Sequence, residues 1–158
     1  MSGIKNKLNR MLSSSEYQPK SNPKSELMTT NMTDHGKDIF SAFQSYFAGE
    51  FSDDFKSERE NARMFLKGSE FNIMLRYKPL GYLDYKQSLV IAVLAFTDSR
   101  AGHGTNLMNF IHSIAGKFEL EHIIFECVGT ESRLFAEAHD FVKTSVEDVL
   151  VLPLIRSS

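Results

Sequence analysis

The sequence predicts an α/β (α+β) domain with a mixed central sheet and helices on both faces. Three observations lead there. The apolar run Ser88 to Phe96 passes directly into a turn carrying Gly102 and Gly104, and an amphipathic helix starts at once. Around Phe71 the apolar spacing changes from three and four residues to two. A second apolar strand, EHIIFECV (Glu121 to Val128), follows the helix at a distance that suits a right-handed crossover between parallel neighbours.

Residues 1–33 are rich in Ser, Asn, Lys, Thr and Pro, and they read as a flexible polar and basic arm. Within it, Ile4, Leu8, Met11 and Leu12 fall at helical spacing, which is either a frayed turn or a short docking helix. The folded domain is expected over 34–158. Ile39, Phe40, Phe43, Tyr46 and Phe47 define a helix with an aromatic face, capped by Asp34 and closed by Gly49. A second helix is expected from Asp53 or Asp54 to Lys67, with Phe55, Ala62, Phe65 and Leu66 inward and Gly68 as its stop. Phe71, Ile73, Leu75 and Tyr77 alternate with Asn72, Met74 and Arg76 as in a half-buried strand, and Pro79-Leu80-Gly81 marks a turn.

Ser88 to Phe96 reads as a central strand covered on both faces. The helix after the glycines shows Leu107, Phe110, Ile111, Ile114 and Phe118 on one face. Thr130 to Ala138 reads as another helix, with Thr130 as cap and Leu134 and Phe135 inward. Val146 to Ile155 reads as a final strand, straight or bent. Its segment Val149 to Leu152 is a candidate for pairing across a homodimer.

Bulk properties narrow the function classes. The chain has 158 residues and a formal charge of −2, which gives no global drive toward nucleic acid or anionic membrane. Residues 1–27 carry Lys5, Lys7, Arg10, Lys20 and Lys24 against Glu16 and Glu26, a net +3 that leaves −5 for the remainder. That modest excess argues against nucleic acid as a partner. A single cysteine, Cys127, excludes an internal disulfide and a multi-cysteine metal site. No apolar run is long enough for a membrane span, and the first residues lack a secretory core, so a cytoplasmic protein is expected. His35, His112 and His122 show no ligand spacing, and no metal is expected.

The glycine turn carries the chemistry. The first amides of a helix have no intrahelical acceptor, and they converge on one point with the positive end of the helix dipole. Glycines let an anion approach that point, so strand, glycine turn and helix together form a diphosphate-binding device. A dinucleotide fingerprint would need a third glycine where Leu107 stands and an acidic residue after the next strand, where the chain reads Cys127-Val128-Gly129. No Gly-Lys-Ser/Thr follows either, which excludes a P-loop.

The segment Ser99-Arg100-Ala101-Gly102-His103-Gly104-Thr105, followed by Leu107 and Met108, resembles the signature of the GNAT superfamily of N-acyltransferases, R/Q-x-x-G-x-G/A before a helix. The resemblance covers about residues 88–141, and the element order extends it to the whole domain. It implies acetyl-coenzyme A as cofactor, held by Ser99, Arg100, Ala101, Gly102, His103, Gly104 and Thr105. It also implies an oxyanion contact from a backbone amide at Ala95, Phe96 or Thr97, and acyl transfer to an amine. The signature's basic residue falls on Ser99, with Arg100 one place late. The family's tyrosine falls on Ala136 when counted from Phe141, or on Phe135 when anchored on Leu134, and neither carries a hydroxyl.

Acyl transfer needs a route for the amine's proton. Glu126, on the strand after the helix, is the candidate general base; Asp98 and His139 are weaker ones. Strand alternation puts Glu126 and Cys127 on opposite faces, and a thiol in an apolar strand is inert. The acceptor amine is not legible. The alternative reading is a catalytically inactive domain of the same fold that binds a protein partner.

Overall fold

The computed structural model describes residues 23–51, 54–98, 101–126 and 129–154, with side chains from His35 onward. Met1–Asn31 and Met32–Ser158 form two compact units. In chain order the elements are α1 (Pro23–Phe51), β1 (Phe55–Glu60), β2 (Arg63–Gly68), β3 (Phe71–Lys78), β4 (Ser88–Phe96), α2 (His103–Ala115), β5 (His122–Glu126), α3 (Thr130–Ala138), β6 (Val142–Lys143) and β7 (Val149–Pro153). The seven strands form one sheet in the order β1-β2-β3-β4-β5-β7-β6. Only β4 and β5 pair in parallel, joined through α2, and every other pair is antiparallel. This is the mixed sheet the sequence predicts.

The first elements depart from expectation, α1 among them, since residues 23–33 belong to a helix and not to a flexible arm. The residues read as a second helix form the hairpin β1–β2, turned at Asn61 and Ala62, where Asn61 takes a positive φ of 52°. In β2, Met64 and Leu66 point into the core while Arg63, Phe65 and Lys67 face away. In β1 Phe55, Ser57 and Arg59 share the core side: Phe55 packs on Phe71, and Ser57 and Arg59 bond Gln44 and Ser41 of α1. Polar groups stand where an edge strand would normally show apolar alternation, so the two-residue period is hidden. The charged residues between are good helix formers, which is why local propensity points the other way.

Helix α1 begins by Pro23, so Asp34 lies within it rather than at its start, and it runs past Gly49 to Phe51. Its residues Ile39, Phe40, Phe43 and Phe47 are buried against the sheet. Phe110 of α2 stacks on Tyr46 at 4.3 Å and meets Phe43 edge-on at 5.2 Å, tying the two helices together. The large core joins these side chains to Leu107 and Ile111 of α2, Ala136 of α3, and Ile73, Leu75, Leu89, Ile91, Ile123 and Phe125 of the sheet. On the sheet's other face a smaller cluster holds Val90, Ile124, Val149 and Val151, with Tyr82 and Tyr85 of the β3–β4 loop packed on it. Strand β7 has β5 on one side and β6 on the other, so it is not an edge available for pairing with a second copy.

Candidate functional site

The site originates in β4. Its pairing with β3 runs the whole strand, from Lys78↔Ser88 to Phe71↔Phe96, but the register shifts between Met74 and Leu75, which oppose Val93 and Ile91. Ala92 is the extra residue of this bulge. Such an insertion bends the strand and exchanges its faces. Leu89 and Ile91 point to the large core before it, Leu94 and Phe96 after it.

Pairing with β5 ends at the same place: among the described residues the last pair is Ile91↔Phe125, and β4 continues to Phe96 with no described strand on that side. The N–H of Thr97 donates to the Glu70 carbonyl at 2.9 Å, toward β3. Successive residues of a strand direct their backbone groups to opposite sides. The amides of Phe96 and Leu94 therefore point into the space beside β4, and that of Ala95 toward β3.

This space is a cleft of about 680 Å³, lined by Leu94, Ala95 and Phe96 of β4, Gly104 of α2, Phe125 of β5 and Phe135 of α3, with Gly129 to Ser132 on its rim. Two helices present their N-termini to it. Gly102 caps α2 with φ +78°, a conformation that favours glycine, and contributes no side-chain bond. Asn106 is the first residue of α2 whose amide reaches a cap carbonyl, that of Gly102 at 3.0 Å. The amides of His103, Gly104 and Thr105 precede it and have no intrahelical acceptor. The second N-terminus is that of α3. Its cap is Gly129 (φ +105°) rather than Thr130, which is the first helical residue.

Gly104 is small for a reason internal to the chain. A Cβ there would lie 2.4 Å from Cε2 of Phe135. The Phe135 ring also packs 4.5 Å from the His139 ring and 5.9 Å from that of Phe125. Ala136 is fully buried, Phe135 and Leu134 both line the cleft, and Leu134, expected inward, is 61% exposed. His139 approaches the Thr105 hydroxyl at 3.5 Å, linking α3 to the first turn of α2. His103 packs between Phe51 (4.7 Å) and Phe96 (5.3 Å) and so belongs to the aromatic wall.

Glu126 lies at the end of β5, on the Tyr82 face of the sheet. Its Oε1 is 2.5 Å from a guanidinium nitrogen of Arg76, and its Oε2 accepts from the Tyr82 hydroxyl at 2.6 Å. The Arg76 guanidinium also lies 5.7 Å from the Tyr82 ring centre. Burial first, then the hydrogen bond to Glu126, raises the Tyr82 pKa above the usual phenol range, so the hydroxyl stays protonated. Sequence reasoning missed Tyr82 and Arg76, because only the fold brings the β3–β4 loop and β3 to β5. Ser99, Arg100, Cys127 and the docking-helix candidate of the arm lie outside the described residues. Among the described residues, no group of three His, Cys, Asp or Glu is placed to hold a metal, and no helix is long and apolar enough to cross a membrane.

No family model and no curated protein matches the chain. Among solved structures it is similar to a mutant AtaT toxin bound to the C-terminus of the antitoxin AtaR, at 16% identity and a TM-score of 0.44, over 58% of this chain and 65% of that one. It is similar to Ard1 from Thermoplasma volcanium at 14% identity and TM-score 0.43, over 61% and 72% of the two chains. It is similar to Tetrahymena GCN5 at 12% identity and TM-score 0.42, over 87% and 93%. The chain spans just under two thirds of the toxin's length. Its own mixed sheet, with strand, glycine turn and helix in succession, is the arrangement that the sequence predicts.

Proposed function

We propose that the cleft binds acetyl-coenzyme A and that the chain is an acyl-coenzyme A-dependent N-acetyltransferase acting on an amine. The observation that supports this reading is that, among the described residues, the pairing of β4 with β5 ends at Ile91 and Phe125, with the open first turn of α2 beside the cleft. A long thin ligand with an anionic end needs those two features together. The amides of Gly102 to Thr105 would hold the diphosphate. The edge of β4 would run alongside the pantetheine arm, and the Phe96 amide would hold the carbonyl oxygen.

When bound, the cofactor supplies an acyl group activated as a thioester. The chain's part is to orient that carbonyl and to take a proton from the amine. In this reading Glu126 does the latter through Tyr82. The tyrosine oxygen receives the amine's proton while its own passes to Glu126 Oε2, and Arg76 keeps the carboxylate oriented.

Titration calorimetry with acetyl-coenzyme A tests the proposal, and absence of binding at high concentration removes it. A second reading, a non-catalytic interaction module, is favoured by Phe135, which fills the wall beside Gly104 with a ring that has no hydroxyl. Turnover on a broad amine panel separates the two.

A further inference from the structure

The Tyr82 face of the sheet carries a cluster that the cofactor site does not use. Arg63 of β2 and Arg76 of β3 are directly opposite in register, so both guanidinium groups leave the sheet on the same side. Lys78 follows two residues along β3, on that side too. Like charges directly opposite in a sheet repel, and such an arrangement persists where something compensates it.

The compensation present is incomplete. Glu126 binds Arg76, but its second oxygen is taken by Tyr82. Glu60, opposite Arg63 across the β1–β2 hairpin, faces the same side, yet among the described residues neither Arg63 nor Lys78 makes an ion pair. The Nε–H of Arg76 is shut off from solvent and has no acceptor among the described residues, although the side chain as a whole is 19% exposed. A buried donor without an acceptor is an exception in proteins and asks for an explanation. Lys78 senses the imbalance: burial first, then Arg76 and Arg63, lower its pKa.

We infer that Arg63, Arg76 and Lys78 form an oxyanion subsite for a carboxylate or phosphate group of the acceptor. The cluster lies on the face that Glu126 shares, one residue from the cleft-lining Phe125 and two register steps from the bulge at Ala92. An acceptor seated there would direct its amine toward the mouth between β4 and β5. Planar guanidinium groups suit a bidentate oxyanion, and Lys78 adds a point charge. Calling the oxyanion part of the acceptor rests on the acyl-transfer reading; the anion site itself does not.

The test uses the full chain and two probes, inorganic phosphate and glutarate, titrated while the arginine Nε–H signals are followed by NMR. Saturating shifts of the Arg76 signal are expected with at least one probe. The probe bound more tightly assigns the group as phosphate or carboxylate. Replacing Arg63→Gln and Lys78→Gln together should weaken that probe about tenfold or more, as expected for lost charge-assisted bonds. Arg63→Lys, which keeps the charge at an exposed position, should retain most of the affinity and serves as the folded control. Acetyl-coenzyme A affinity should be unchanged in all three proteins. Equal probe affinity in the parent and the double variant overturns the subsite. Probe binding intact with no acetyl-coenzyme A binding removes the acyl-transfer reading and leaves the anion site standing.

Discussion

Gly104→Ala probes the joint between α2 and α3. The new methyl would sit 2.4 Å from Cε2 of Phe135, 3.1 Å from Cζ and 3.2 Å from Cδ2. Carbon atoms at rest sit near 3.5–4.0 Å, so the ring must move by about 1 Å or more. Overpacking of this kind costs about 1–3 kcal/mol. Alanine in place of glycine in a helix returns up to about 1 kcal/mol, and less in a first turn. The net expectation is a loss of about 0.5–2 kcal/mol, read as a lower urea midpoint at unchanged slope. Removing the ring should abolish the cost, since Phe135→Ala leaves nothing for the methyl to strike. The double variant should therefore be more stable than the sum of the singles by about 1–2 kcal/mol. Additivity within about 0.3 kcal/mol would refute the contact and, with it, the claim that Gly104 is small because of Phe135.

Further outcomes follow from the same geometry. Gly102 has φ +78°, which Asn and Asp tolerate better than other side chains. Gly102→Asp should weaken acetyl-coenzyme A binding more than Gly102→Asn by about 1–3 kcal/mol, as the added charge opposes the diphosphate, and equal affinities by calorimetry would place the diphosphate elsewhere. Tyr46 has its pKa pushed up to about 12 by burial and by Glu50. Its raised folded value means that the contribution is fully present below pH 10 and is lost as pH rises toward 12; Tyr46→Phe should flatten that alkaline decline in thermal melts. Glu126→Ala leaves the Arg76 guanidinium, 19% exposed, without its counter-charge and should cost about 1–3 kcal/mol, measured by urea unfolding. Tyr82→Phe should lower kcat on any amine found to be a substrate while leaving acetyl-coenzyme A affinity intact, and an unchanged kcat would remove the hydroxyl from the proton route.

Much of the architecture was legible in one dimension. The Ser88–Phe96 run, the two glycines and the amphipathic α2 depend on local rules: apolar period, left-handed turn residues and helix start signals. These also sufficed to find the rim of the candidate site. Three features required the folded chain. The β1–β2 hairpin was invisible because its inward polar residues, Ser57 and Arg59, are satisfied by α1, a partner distant in sequence. The bulge in β4 is a mismatch of length between paired strands and leaves no mark in either strand alone. The setting of Glu126 was hidden for the same reason: Arg76 and Tyr82 lie 50 and 44 residues from it in the chain, and only sheet order makes them neighbours. Sequence periodicity reports which face a residue occupies; which residues share that face is settled by strand order and register, and these are properties of the whole sheet.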